Sequence, residues 1–561
     1  MSSSTAAPSH PVRAPQQGIA TRMLAGLNGN PILILSAILT LYLAITCIQA
    51  AHKLLWADEL FTLAIARQGS LHAIWEALAA GADPNPPLSH WLVLQSTRLF
   101  GLSALAIRIP SILCVFAALC ALWTVLRRWL TPSYAAVGLL AFMTTRGFDH
   151  AYNARSYAPL LAFSLAALAF WLHSFDPTRR AVAVAICLAL AISSNYYGVL
   201  ALLPIAAGEA AYSIHTHRLR PAIWLALAAG ALPLLAYRPL IRHQLAEFGP
   251  HAWNRPHPDM LSDSYLVLVE GLFWPVFGLA VYTIWKRRTS TAPHTTRLAP
   301  HELTALAVLL LYPILGYALA VLGHGIISPR CIIPVCGGFA IAAALLAART
   351  FGPSPRAALI LLATALLWVV GREAACFIVL AHQRTAFFAV RDRIVRLAQA
   401  DPTQPILISD SLLVLPLAHY APDLQPRLIF PIDFAAIHAS EPDDSGEQNL
   451  WAGRNGIFPV RIVPYRRDLL PQAFVLLSRP RGWLPTRLAT DGYLISAPES
   501  PAPLPDLGGV FTPLCHSETR VLIGRSNLLV GRSSPLLPVE VRSNFFPRHP
   551  PEMLHPVYNQ H

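Results

Sequence analysis

The chain has 561 residues, 55% hydrophobic and only 13% charged, with a mean hydropathy of +0.48. A soluble domain carries about 25% charge, so this composition excludes an ordinary soluble enzyme and calls for a polytopic membrane protein. The net charge of +13 does not point to nucleic acid, because much of the excess sits in short clusters between apolar runs, at 127–128, 179–180, 215–220 and 286–288. Such clusters mark cytoplasmic loops.

The first 30 residues are polar and lead into an apolar run with no small-residue cleavage site, which reads as an uncleaved signal anchor behind a cytoplasmic tail. About 20 apolar residues cross a bilayer. That yardstick gives spans at 31–51, 104–126, 134–149, 157–174, 181–194, 198–214, 222–240, 265–285, 303–323, 331–348 and 357–380. With the basic clusters inside, about eleven crossings leave the C-terminus outside. The stretch 86–101 is too short and polar to cross, holding His90, Gln95 and Arg98, and reads as a juxtamembrane or re-entrant helix. Seven of the eight cysteines lie in or beside apolar runs, Cys515 stands alone, and none has CxxC spacing. They read as buried apolar residues or free thiols.

This topology makes 52–103 a long first outer loop. It holds Asp58 and Glu59, an amphipathic helix with Leu60, Leu63, Ile65, Ile74, Trp75 and Leu78, and the GADPNPPL segment at 81–88. The other outer segments are 148–157, 193–198, 242–260 and 324–330, so acids, arginines and aromatics collect on one face. Beyond about residue 385 the pattern changes. A helical stretch at 387–400, strand patterns at 405–411 and 472–478, and the segment 482–495 predict a small outer-face α/β domain. The stretch 441–449 reads as a surface loop, and the last 30 residues are rich in Pro and Arg. The domains expected are thus 1–30, 31–384 and 385–561.

Transporters bind at the bilayer midplane on broken helices, whereas here the polar residues lie at the outer ends of the spans. An enzyme working at the interface on a lipid-linked substrate fits that distribution better. The order of motifs resembles integral membrane glycosyltransferases of the GT-C type. These motifs are Asp58-Glu59 after the first span, Pro86-Pro87-Leu88 closing the loop, Leu99-Phe100-Gly101, Ile107-Arg108-Ile109-Pro110, Ala154-Arg155-Ser156-Tyr157, and Pro329-Arg330 before Ile333-Pro334. The nearest group contains the aminoarabinose transferases of lipid A, the rhizobial lipopolysaccharide transferases and, more distantly, the protein O-mannosyltransferases.

The resemblance, covering about 30–380, implies inverting transfer of a sugar from a polyprenyl-phosphate carrier to a lipid, glycan or protein acceptor at the outer face of the plasma (inner) membrane. The residue chemistry agrees. A carboxylate must take the proton of the attacking hydroxyl, and Asp58 is the candidate, with Glu59 orienting or supporting the site. Arg155 and Arg330 are candidates for the donor phosphate, since guanidinium binds phosphate through two parallel hydrogen bonds; the alternative reading of each is an anchor to lipid headgroups. Arg108 reads as a further anchor outside the primary site.

Asn85, Pro86, Pro87, Asn153, Tyr157, Asn195 and Tyr196 are candidates for the substrate cavity. In the resemblance a glutamate commonly precedes the arginine by two residues, where this chain has Asn153. Asp149, one turn earlier, is the candidate for the missing charge. A divalent metal therefore stays one option, with no ligand set to name, and His150, His243, His251 and His257 lack metal-like spacing. Ser409 and Asp410 at a strand end are candidates for an acceptor-binding edge. The rival reading is a flippase or transporter of a lipid-linked saccharide, which would need no general base at Asp58; an inactive envelope-assembly scaffold is weaker.

Overall fold

The computed structural model describes residues 19–173, 176–247, 254–289, 298–323, 325–352, 354–440, 444–470, 473–478, 482–496 and 527–533. All eleven apolar stretches form helices within these residues. Six are long and apolar enough to cross a membrane: Pro31–His52, Ala104–Arg127, Pro177–Ser194, Tyr196–Thr216, Pro221–Ala246 and Pro355–Arg396. Eight result if two bent pairs, Asp259–Leu268 with Phe273–Trp285 and Pro300–Leu310 with Tyr312–Leu322, each make one span. The remaining stretches are shorter apolar helices at Pro132–Met143, Tyr157–Leu172 and Val335–Phe351.

Local chemistry explains where these helices stop. The span expected over 134–149 ends at Met143, because Thr144 and Thr145 turn their hydroxyls back onto the carbonyls of Ala141 and Phe142. Pro313 lacks the N–H needed to continue the helix from Pro300, and that span bends by 59°. At one end of the bundle Glu302 binds Arg128 at 2.5 Å, and the buried Glu209 binds Arg220 at 2.5 Å. The clusters at 127–128, 179–180 and 215–220 thus lie at that end.

The first loop forms the other end. Helix Ala57–Ala66 starts where Glu59 accepts from the Trp56 backbone N–H, and Leu71–Ala79 starts at Ser70. The 86–101 stretch forms the 13-residue helix Leu88–Phe100, which Gly101 ends at φ 76°, a left-handed conformation natural to glycine.

The boundary expected at 384–385 falls inside one 46-residue helix, Pro355–Ala400, so 387–400 continues the last span. Beyond it lie strands β1 (Ile406–Ile408), β2 (Leu428–Ile432), β3 (Arg461–Pro464), β4 (Ala473–Ser478), β5 (Tyr493–Ser496) and β6 (Asn527–Ser533). Their order is β3-β2-β1-β4-β6-β5, with β6 antiparallel to both neighbours and the rest parallel.

Asp410 caps the helix Ser411–Tyr420 by accepting from Leu412 N, which shortens the strand expected over 405–411. Ser409 hydrogen-bonds the buried Ser478 at 2.6 Å. Both candidates for an acceptor edge therefore serve the domain's own structure. The stretch read as a loop at 441–449 enters the helix Ser445–Ala452, which buries Glu447 and Leu450. Residues 441–443, Cys515, His251 and most of the last 30 residues lie outside the described residues.

The α/β domain shares its apolar core with the first loop. Leu55, Leu60, Leu63, Ile74, Val93 and Leu94 join Ile406, Leu407, Phe430 and Leu476 in one buried cluster. Phe61 meets Phe458 edge-on at 5.0 Å, and Tyr420 accepts from the Leu55 backbone N–H at 2.6 Å. The domain is seated on the loop that carries the paired acids.

Candidate active site

Adjacent helical residues point about 100° apart, and the first turn of Ala57–Ala66 sends its two acids to different places. The Asp58 side chain keeps 30% exposure, whereas Glu59 keeps 1%. Glu59 accepts from Arg108 Nε at 2.8 Å and Nη2 at 2.6 Å, and from the Ala154 N–H at 2.8 Å. Burial pushes its carboxyl up, but Arg108 and then Lys53 outweigh that and hold it at about 2. Glu59 is closed to a substrate. Arg108 is likewise no surface anchor: it is fully buried and also donates to the carbonyls of Ala50, Lys53 and Leu54.

Asp58 stands between the two arginines read from the sequence. Its Oδ2 lies 3.7 Å from Arg155 Nη2 and 3.5 Å from Arg330 Nη1. Arg155 is held by Asp83, whose Oδ2 accepts at 2.9 Å, and by the Asp58 carbonyl at 3.0 Å and Thr62 Oγ1 at 3.2 Å. Burial lowers the affinity of Arg155 for its proton, but Asp58 and Asp83 outweigh it and raise the pKa. Burial raises the Asp83 carboxyl, and Arg155 overrides that to hold it well below the usual range.

Asp83, buried beside His90, is the site residue that the sequence reading missed. An acid inside a proline-rich outer loop of an acid-poor chain was its only signal.

The cavity candidates fall into two groups. Asn85 Oδ1 accepts from Ser156 Oγ at 2.9 Å and from Asn195 Nδ2 at 3.2 Å, tying three loops together. Pro86 and Pro87, next in the chain, are buried, and Tyr196 packs on Tyr237 at 6.1 Å. Tyr157 is buried against His150, ring to ring at 4.9 Å. His150 is held down to about 3 by burial and then by Arg330.

Asn153 instead turns to Lys53, which donates to its Oδ1 and lies 3.8 Å from Glu59. Asp149 does not fill the place of the missing glutamate. Its carboxylate is taken by Arg372 at 2.6 and 2.7 Å and by Arg146 at 3.4 Å. Arg372 also pairs with Glu373, which accepts from Gln49 at 3.3 Å. Two adjacent ionisable residues inside an apolar span are a signal for a buried pair, and the sequence reading, which took 357–380 as a plain span, missed Arg372-Glu373.

Among the described residues no three His, Cys, Asp or Glu side chains are placed to hold a metal ion. With Asp149 committed to Arg372 and asparagine at 153, the donor set does not fit one, and no chemical step below runs through a metal.

Comparison with known proteins bears on the fold. Residues 84–240 match the family model described as dolichyl-phosphate-mannose-protein mannosyltransferase. The fold is similar to that of ArnT from Cupriavidus metallidurans in the apo state, with 14% identity and a TM-score of 0.54 over 89% of this chain and 99% of that one. The same ArnT bound to undecaprenyl phosphate gives 15% identity and a TM-score of 0.51 over the same shares. No match was found among curated proteins. The fold and the matched segment, 84–240, are similar to those of the GT-C integral membrane glycosyltransferases, the class that the sequence resembles.

Proposed function

We propose that this chain transfers a sugar from a polyprenyl-phosphate carrier to an acceptor hydroxyl at the outer face of the plasma membrane, with inversion at the anomeric carbon. The observation that carries this reading is the partly exposed Asp58 carboxylate with Arg155 and Arg330 both within 4 Å. A base for the incoming hydroxyl and two cations for a departing phosphate are what such a displacement needs. Asp58 takes the proton as the acceptor oxygen bonds to the anomeric carbon. The bond from that carbon to the phosphate oxygen breaks, and its electron pair leaves with the polyprenyl phosphate. Arg155 and Arg330, which lean on Asp58 in the unliganded chain, turn to the phosphate charge as it develops. Asp83 keeps Arg155 aimed, and the Asn85–Ser156–Asn195 knot fixes the loops around the sugar.

The fold shared with an ArnT that binds undecaprenyl phosphate supports the lipid-linked donor, and the gathering of arginines at the far end supports an outward-facing site. In this reading 31–384 is the catalytic membrane domain, behind a cytoplasmic 1–30 tail, and 385–561 is the outer domain.

The test is Asp58→Asn. It keeps size and a hydrogen-bond acceptor but cannot take the proton, so transfer by the purified protein should fall by roughly 10²–10⁴-fold with an unchanged melting midpoint. Near wild-type transfer would remove Asp58 as the base, whereas no transfer by the wild-type protein would leave the flippase reading in its place.

A further inference from the structure

A second polar recess lies behind the helix that carries Asp58. It is a cleft of about 280 Å³ between Ala57–Ala66 and the α/β domain, open to solvent on one side. Leu60 and Leu63 lie two and five residues beyond Asp58, on the opposite face of the helix. Together with Phe458 they make an apolar floor.

The cleft also takes Arg67 and His419, and neither makes a side-chain ion pair or hydrogen bond among the described residues. Gln68 and Gln425 line it as well, donating Nε2 to the carbonyls of Ala64 and Ala418, with no partner for either Oε1 among the described residues. No carboxylate lines it. The floor is close-packed, Leu60, Leu63 and Phe458 each being no more than 5% exposed, and it meets a sugar by apolar contact with its C–H groups, not by ring stacking. Two amide oxygens suit hydroxyl donors, and an unpaired guanidinium suits one negative charge. The volume is at the low end for small-ligand sites, on the scale of one sugar unit rather than a long chain.

We propose that this cleft binds an acidic sugar unit, carrying a carboxylate or a phosphate, of the acceptor glycan. The proposal rests on the transferase reading, because it makes the α/β domain and the first loop a joint acceptor clamp. An acceptor held here reaches Asp58 only through further units of its chain, since the helix stands between the two sites. The clamp would therefore select acceptors with an acidic residue at a fixed remove from the hydroxyl that receives sugar.

The experiment titrates the purified full-length chain with glucuronate, glucose 6-phosphate, glucose and N-acetylglutamate amide, followed by saturation-transfer NMR. Binding of either acidic sugar, tighter than glucose, is expected; the two arms tell carboxylate from phosphate. Arg67→Gln should weaken it by about tenfold or more, the ratio set by loss of a charge-assisted hydrogen bond. Arg67→Lys should weaken it less, and both variants should melt as wild type.

Glucose binding as well as the acidic sugars, no effect of Arg67→Gln, or tighter binding of the acidic amide would each overturn the proposal. Asp58→Asn should leave this binding intact. An Asp58→Asn protein that still transfers sugar would overturn the transferase mechanism alone, while the binding titration judges the cleft.

Discussion

Glu59→Gln isolates the buried half of the paired acids. The amide can still accept from the Ala154 N–H, but its NH₂ group meets the Arg108 guanidinium donor to donor. Arg108 then keeps the amide oxygen at Nε and three carbonyls at 2.7, 2.8 and 2.9 Å, but it is a fully buried cation with no countercharge from residue 59. Breaking one side of a buried ion pair costs about 3–5 kcal/mol. A carboxyl held at about 2 rather than the usual 4.5 corresponds to on the order of 3 kcal/mol. The carbonyls keep Arg108 partly solvated, so the low end of that range applies.

The assay is the melting midpoint of detergent-purified protein at one fixed scan rate, since a chain of this kind unfolds irreversibly. Glu59→Gln should melt several degrees below wild type, and adding Arg108→Gln should recover part of the loss. The pH dependence has a definite sign. A carboxyl whose pKa is depressed in the folded state stabilises fully above 4.5 and loses that contribution as pH falls from 4.5 toward 2. The gap between wild type and Glu59→Gln should close over that window. Equal midpoints at pH 7, or a gap that widens in acid, would refute the argument.

The other expectations concern the exposed half and its surroundings. Arg155→Ala and Arg330→Ala should each raise the donor KM more than the corresponding Lys variants do, because Lys keeps charge but not the fork; steady-state kinetics with a lipid-linked donor reads this out. Asp83→Asn should leave Arg155 charged but poorly aimed, raising the donor KM by about tenfold, the effect of one lost charge-assisted hydrogen bond, while the Glu59 pairing persists in the melting profile. Single cysteines at 58 and 287 should label from opposite sides of the membrane with an impermeant reagent, and outside labelling at 287 would break the proposed orientation.

Patterns local in sequence were legible, and pairings made across the chain were not. The apolar runs located the helices, because hydrocarbon-facing surface must be continuous along each run. Of the eleven spans expected, however, only six, or eight with the bent pairs, are long and apolar enough to cross a membrane among the described residues. The split between Asp58 and Glu59 followed from helical rotation alone. Asp83 was missed because its partner, Arg155, is 72 residues away, and no periodicity links a loop acid to a distant guanidinium. Arg108 was misread as an anchor for the same reason, its partner Glu59 being 49 residues away. Asp149 was given the wrong role because an adjacent turn offers proximity but says nothing about the competing Arg372. The boundary near 385 marked a change in what surrounds the helix, from apolar to mixed, while the backbone ran on unbroken.

That unbroken helix sets a geometric phase. At 46 residues it is about 69 Å long, more than twice the ~30 Å hydrocarbon thickness, and it carries both the Arg372 that grips Asp149 and the first contacts of the outer domain. One residue inserted near 385 would turn everything beyond it by about 100° and lift it by about 1.5 Å, swinging the sheet off the loop that bears Asp58. Seven inserted residues would restore the bearing to within about 20° but raise the domain by about 10 Å. The height and heading of the outer domain are therefore written into the length of a single rod.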